Sequence, residues 1–112
     1  MTTVSLTTPA NIGTRDLVRA WLSSALPLEL EATVVEVDCA PLLAPTPSFV
    51  DELLRILVVE RDAVLVRFVH ASDRARELVQ QVAQNRQIPD RIEIVPSEPE
   101  RGIRDWIRHR VG

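Results

Sequence analysis

The chain has 112 residues, of which 46% are hydrophobic and 26% are charged, as expected for one soluble globular domain. The formal net charge of -3 argues against a general nucleic-acid binder, which usually carries a basic face. One cysteine excludes an internal disulfide, the first residues lack a signal-peptide pattern, and no apolar run approaches the ~20 residues that span a bilayer. We therefore expect a cytoplasmic protein that binds neither nucleic acid nor membrane.

The first third of the chain predicts a strand, a helix and a second strand. Residues 3–8 alternate weakly and predict a short strand. Residues 11–26 predict a helix with Thr14 as its N-cap and Pro27 after its end. Its apolar stripe consists of Leu17, Val18, Trp21, Leu22 and Leu26. The β-branched run at residues 32–38 predicts a buried strand.

The middle of the chain continues this alternation. Three prolines within residues 39–47 exclude regular structure there. Residues 48–60 predict a second helix, and the nearly continuous apolar run at residues 63–70 predicts a central strand. Residues 72–86 predict a third helix, capped by Ser72 or Asp73. The apolar stripe of that helix is Ala75, Leu78, Val79 and Val82.

The last elements are a short strand at residues 90–95 and a terminal helix at about 101–110. Ile103, Trp106 and Ile107 of that helix are predicted to face inward. Alternating strands and helices predict an α/β fold: one domain over residues 1–112, with about four mostly parallel strands and helices packed on the sheet. Its core is expected at about 14–95, and the two inner strands should pair in parallel.

One motif within this pattern resembles a known family. The strand end "VVEVD", the loop "CAPLLAPTP" and the helix start "SFVDELL" resemble the STAS domain superfamily, most closely its STAS-like branch of small bacterial proteins. The resemblance covers about residues 14–95. It implies a STAS-like fold and a non-enzymatic, regulatory role in binding a protein partner. By analogy with anti-sigma factor antagonists, that partner would be an anti-sigma factor or a kinase-type ATPase.

The resemblance also singles out Ser48. Antagonists of anti-sigma factors carry Asp-Ser-Ser-Gly-Leu-Gly at this helix start, and the serine beside the glycine is phosphorylated. That serine falls on Ser48, while Phe49 and Val50 stand in place of Gly-Leu. Ser48 is thus a candidate phosphorylation site, and Thr46 on the same loop is a second candidate acceptor.

The residues around Ser48 also allow a purely structural interpretation. Ser48 and Asp51 have the spacing of a capping box, which predicts Ser48 as the N-cap with its hydroxyl near the N–H of Val50 or Asp51. If Ser48 carried a phosphate, Asp51 and Glu52 would repel it and change the surface that a partner meets. The candidate partner-binding residues are Ser48, Phe49, Asp51, Glu52 and, on the terminal helix, Trp106.

Two other functions stay open. Cys39 and His70 each follow a predicted inner strand, so a small enzyme that uses a Cys39–His70 pair is an alternative. A self-associating scaffold is another, since the terminal helix could dock on a partner or on a second copy to form a homodimer. Cys39, His70 and His109 lack the spacing of metal ligands, and no glycine-rich phosphate loop is present. We therefore expect neither a metal nor a cofactor.

Overall fold

A computed structural model describes residues 2–12, 14–27 and 29–96. The terminal helix predicted at 101–110, with Trp106 and His109, lies outside these residues. The described elements, in chain order, are β1 (Thr2–Thr7), α1 (Arg15–Ala25), β2 (Thr33–Asp38), α2 (Pro47–Leu54), a π-helical segment (Arg55–Glu60), β3 (Leu65–Val69), α3 (Asp73–Asn85), a 3₁₀ turn (Pro89–Arg91) and β4 (Ile92–Ile94).

The four strands form one parallel sheet in the order β1-β2-β3-β4. The predicted α/β fold is therefore confirmed, including the parallel pairing of the two inner strands. Each crossover moves one strand along the sheet, and the helices α1, α2 and α3 pack side by side on one face. The sheet register stacks two apolar rows beneath that helix layer. These rows are Val4–Val35–Val66–Ile92 and Leu6–Val37–Phe68–Ile94.

Two of the three α-helices, α1 and α3, begin at the N-caps that the sequence predicts. The Thr14 hydroxyl accepts from the backbone N–H of Leu17, and the Ser72 hydroxyl accepts from that of Ala75. The predicted stripe of α3 is buried throughout. In α1, the prediction that Leu17 belongs to the buried stripe is wrong, because Leu17 is 54% exposed. Val18 and Leu22 of the same predicted stripe are buried.

The second helix differs from the prediction of one α-helix over 48–60. It begins one residue earlier, at Pro47, and after Leu54 it continues as the π-helical segment. A backbone hydrogen bond of 2.9 Å from Arg61 N to Ile56 O has the five-residue spacing of a π-turn. The apolar positions remain buried through both parts, including Leu57 and Val58.

Within residues 2–12, 14–27 and 29–96, no helix is both long and apolar enough to cross a membrane.

Candidate functional site

The carboxyl ends of the parallel strands meet at one edge of the sheet, which we call the carboxyl edge. It comprises Cys39 after β2, His70 after β3 and the start of α2 at residues 46–48. Open α/β sheets usually bind ligands outside the carboxyl ends of their strands, at a point where the strand order reverses. The order β1-β2-β3-β4 has no such reversal, so the fold places the motif at the carboxyl edge without forming a crevice there.

The start of α2 is capped by Thr46, so the prediction that Ser48 is the N-cap is wrong. Thr46 has extended backbone angles, and its hydroxyl accepts a hydrogen bond of 3.1 Å from the N–H of Phe49. Pro47 occupies the first helical position, where its fixed φ suits a helix and its missing N–H costs nothing. Ser48 follows as the second residue of the helix.

This arrangement separates the two candidate acceptors of a phosphate. The hydroxyl of Thr46 is engaged in the cap. Ser48 is half-buried, and its hydroxyl makes no hydrogen bond within the described parts of the chain. A kinase would have to break the cap to modify Thr46, whereas Ser48 could be modified without loss of a bond. Of the two, Ser48 is the better placed.

Phe49 anchors the start of α2 on the side of the helix that faces the core. Its side chain is 1% exposed, and its ring stacks on that of Trp21, with centroids 6.2 Å apart and planes at 26°. This contact joins α2 to α1. A side chain so buried cannot touch a partner, so the structure removes Phe49 from the candidate contact surface and gives it a positioning role.

Asp51 and Glu52 belong to an ion cluster across the helix layer, which we call the helix-layer cluster. Its members come from α1, α2, the π-helical segment and the residue after α3. They are Arg15, Arg19, Asp51, Glu52, Arg55, Glu60 and Arg86. Asp51 is held by Arg86 through two bonds of 2.6 and 3.0 Å and by Arg15 at 2.8 Å. Asp51 therefore ties α2 to both neighbouring helices.

Glu52 is the buried centre of the helix-layer cluster. Only 4% of its side chain is exposed, and it accepts from Arg15 at 3.1 Å, from Arg19 at 3.5 Å and from Arg55 at 2.5 and 3.1 Å. Arg55 and then Arg15 hold the pKa of Glu52 below its usual value, although burial opposes them. Arg86 and then Arg15 likewise lower the pKa of Asp51. Both carboxylates are thus charged and already paired.

His70 pairs with Asp38 at the carboxyl edge. The residue has a φ of 57°, a left-handed conformation that turns the chain back after β3. Its Nδ1 lies 3.1 Å from Oδ1 of Asp38, and the same carboxylate oxygen accepts from the N–H of Ala40 at 2.9 Å. The Ala40 N–H is the main cause that lowers the pKa of Asp38, and His70 adds to it. Both side chains are accessible, with 57% of His70 and 37% of Asp38 exposed.

Cys39 points away from this pair. Its side chain is buried, and its thiol lies 3.9 Å from the carbonyl oxygen of Val37. Burial raises the pKa of the thiol to about 12, and the charge of Asp38 adds to the rise. The strands do bring Cys39 and His70 to the same edge, but the hydrogen bond forms between His70 and Asp38. A Cys39 thiolate is therefore strongly disfavoured at neutral pH.

The carboxyl edge can present charge and an apolar contact. A depression of about 420 Å³ lies on this side of the sheet, between the start of α3 and the end of β4, and its lining includes Asp73, Arg76 and Ile94. Leu43, in the proline-rich loop, is 72% exposed, and its N–H is fixed by a 3.0 Å bond to the carbonyl of Ala10. A depression of about 310 Å³ lies elsewhere, at α3 and β4, lined by residues that include Gln80 and Ile92. In the residues that the structure describes, no group of three His, Cys, Asp or Glu side chains could hold a metal ion.

Sequence reasoning missed three features of this region. The cap at Thr46 could have been found, because Pro47 marks the first helical position. Leu43 carried a weak signal as one of two leucines in a loop that is otherwise rich in proline and alanine. The helix-layer cluster carried none, since its arginines are distant in sequence and look like solvated surface positions.

Comparison with known proteins gave no match. No family model matches the chain, and no curated protein or solved structure matches it either.

Proposed function

We propose that this protein is a non-enzymatic regulatory module that binds a protein partner through the carboxyl edge and is switched by phosphorylation of Ser48. The observation that carries the proposal is the position of Ser48. It lies in the first turn of α2, and its hydroxyl makes no hydrogen bond to the residues that the structure describes, while Thr46 provides the cap. The STAS-like motif of the sequence supports the same function, and it suggests an anti-sigma factor or a kinase-type ATPase as the partner.

Exposed residues of the loop before α2 and of the ends of β2 and β3 support a protein partner. Leu43 and Pro47 are both exposed, and Asp38 and His70 add an accessible charged and polar pair. An exposed leucine held by a backbone hydrogen bond offers an apolar contact with little loss of conformational freedom on binding. We therefore add Leu43 to the partner-binding candidates, together with Ser48.

The helix-layer cluster suggests how a phosphate would act. Ser48, Asp51 and Glu52 are spaced i, i+3 and i+4, so they share one side of α2. Arg15 bonds both carboxylates and is 49% exposed, so it could reach a new anion on that side. A phosphate on Ser48 would compete for Arg15 and would add about two negative charges at the carboxyl edge. The partner would then meet a different charge pattern on a helix that has not unfolded.

A binding experiment with matched variants tests this function. The chain is used to capture its partner from native cell extract, and captured proteins are identified and quantified by mass spectrometry. We expect stoichiometric capture of a sigma-regulating protein or a kinase-type ATPase. Ser48→Asp should weaken capture, whereas Ser23→Asp, at an exposed serine of α1, should not. Equal capture by both variants would reject Ser48 as the switch.

The apolar contact is tested separately. Leu43→Asp should abolish capture, while Val59→Asp should leave it intact, because Val59 is also exposed, at 59%, but lies at the far end of the second helix. Mass spectrometry of the protein from its native cell should find phosphate on Ser48 and none on Thr46. Absence of phosphate on Ser48, both with the partner bound and with it released, would remove the regulatory part of the proposal.

The enzyme alternative is weakened by the burial of Cys39 and by its raised pKa. It would regain support if alkylation of Cys39 in the folded protein abolished a measured turnover. The scaffold alternative predicts an oligomer that needs no other partner. Measurement of the mass in solution distinguishes it from a module that is monomeric until its partner is added.

A further inference from the structure

The two outer strands of the sheet differ in how their free edges are protected. β4 has only three residues, one of them Glu93, and Pro96 follows soon after its end. Shortness, charge and proline are features that keep an edge strand from pairing with another chain. β1 has none of them. Its six residues, Thr2–Thr7, include no charge and no proline, and they pair one-to-one with β2, so no bulge bends the edge away.

The hydrogen bonds of β1 show which of its backbone groups point away from the sheet. The N–H groups of Thr2 and Thr8 donate to carbonyl oxygens of β2 and of the residue before it, at 3.2 and 3.0 Å. Backbone groups alternate in direction along a strand, so the even-numbered residues face β2. Within the part of the chain that the structure describes, β1 pairs with β2 alone. The residues whose N–H and C=O groups face outward are Thr3, Ser5 and Thr7, and all three are exposed.

We infer that two copies of this chain pair through β1 in antiparallel orientation, which joins two four-stranded sheets into one of eight strands. The twofold axis lies between the Ser5 residues of the two copies, and Thr3 of each copy faces Thr7 of the other. Residues that face each other in this way exchange two N–H···O bonds. Three pairs with two bonds each give six bonds, the largest number that any register of β1 with itself allows.

The same register matches the side chains of the two copies. Val4 and Leu6 lie on the face of the sheet that carries the helices, and Val4 of each copy faces Leu6 of the other. The hydroxyl side chains of β1 meet one another on the opposite face, and such pairs stabilise antiparallel strands. Because β1 has no charged residue, no like charges oppose each other across the joint. The strand is therefore complementary to itself in its backbone, its apolar side chains and its charge.

The surroundings of β1 leave room for a second copy. Arg19 bonds Glu60 at 2.8 Å, on the side of α1 that faces α2. Leu17 lies about 200° from Arg19 around the helix, so it faces away from α2, on the β1 side of the helix layer. It is 54% exposed and adds an apolar contact there. The loop after β1 turns inward, since the carbonyl of Ala10 accepts from the N–H of Leu43 at 3.0 Å, and it does not cover the edge.

The pair that β1 forms is closed. Each copy has one β1, and the twofold contact uses it on both sides, so two copies complete the assembly. β1 pairs along its length, whereas the carboxyl edge lies at the ends of the strands. Both carboxyl edges therefore stay accessible in the dimer. The inference goes beyond the proposed function and depends neither on Ser48 nor on the partner.

The mass of the full chain in solution, measured by sedimentation equilibrium, tests the inference. We expect the wild type to have the mass of two chains. Ser5→Pro should have the mass of one chain with an unchanged far-ultraviolet circular dichroism, because proline removes an outward N–H and no bond to β2. A wild type with the mass of one chain would overturn the inference. The oligomer of the scaffold alternative would survive Ser5→Pro, and that result would overturn the inference as well, so the mass test of that alternative is made on this variant.

Charged variants test the position of the twofold axis without proline. Ser5→Glu places two carboxylates opposite each other and should have the mass of one chain. Ser23→Glu, at an exposed serine of α1, is the matched control and should keep the mass of two chains. An equimolar mixture of Ser5→Glu with Ser5→Lys should regain the mass of two chains, because opposite charges then meet across the axis. A mixture that keeps the mass of one chain, or a Ser5→Glu variant that keeps the mass of two, would overturn the pairing at Ser5.

Discussion

Glu52 provides the sharpest test of how the helix layer is held together. We consider Glu52→Gln, which keeps the shape of the side chain and removes its charge. In the folded protein Glu52 is 3% exposed and is bonded by Arg15, Arg19 and Arg55. Removal of one member of a buried ion pair usually costs about 3–5 kcal/mol, because the other charge is left buried without a partner.

The structure predicts a smaller cost at this site. Each of the three arginines also bonds a second carboxylate. Arg15 bonds Asp51 at 2.8 Å. Arg19 and Arg55 bond Glu60 at 2.8 and 2.5 Å. The side chains of these arginines are also 34–49% exposed, so water solvates the guanidinium N–H groups that no carboxylate bonds. No guanidinium is left buried without a partner. We therefore expect Glu52→Gln to lower the free energy of unfolding by about 2 kcal/mol, below the usual range for a buried pair.

The assay is urea unfolding at neutral pH, followed by far-ultraviolet circular dichroism. A loss of about 2 kcal/mol corresponds to a melting temperature lower by about 8 °C in a domain of this size. The control is Glu77→Gln, at an exposed glutamate of α3 that has no ion pair within the described residues. Its effect should stay within about 0.5 kcal/mol. A loss for Glu52→Gln that equals the control would show that the cluster does not stabilise the fold, and a loss above about 4 kcal/mol would refute the re-pairing argument.

Three further predictions concern single groups. Thr46→Ala should cost about 1 kcal/mol in urea unfolding because it removes the cap, while Ser48→Ala should cost much less; equal losses would contradict the cap assignment. Because the pKa of Asp51 is lower in the folded protein, its ionised carboxylate stabilises the fold at pH values above the ordinary pKa of 3.8. This contribution is lost as the pH falls through the folded pKa. Wild-type stability should therefore fall more steeply than that of Asp51→Asn in denaturation series from about pH 5 to about pH 3. Cys39 should resist iodoacetamide in the native protein and react after unfolding, as mass spectrometry would show; rapid native alkylation would contradict its burial.

The sequence was sufficient to predict the alternation of strands and helices. The β-branched run ending in Asp38 and the apolar run ending near His70 each specify a buried strand, since few other structures accept such runs. The helix between them then requires a crossover, and crossovers make neighbouring strands parallel. These local and topological rules act without knowledge of the partners of any side chain. For that reason the fold class was predictable.

The charged contacts were not predictable in the same way. Arg86 and Asp51 are 35 residues apart in the chain and meet only because α3 packs beside α2. Periodicity marks both as polar positions and cannot say which carboxylate faces which guanidinium. The same holds for His70, whose pairing with Asp38 depends on the register of β2 with β3 and on its left-handed backbone. Such contacts require the tertiary structure.

The start of α2 is held on two sides, and this determines what a modification there could do. On the side of α2 that faces the core, Phe49 and Val50 are each 1% exposed. Within the helix layer, Asp51 bonds Arg15 of α1 and Arg86, which follows α3. Ser48 is the residue between the cap and these anchors, and its hydroxyl contributes to neither. A charge added at Ser48 would therefore change the electrostatic potential of the carboxyl edge and the pairing of Arg15, while the cap and the buried anchors keep the helix in place. On this argument, regulation at Ser48 would alter which partner the surface accepts, and it would do so without unfolding α2.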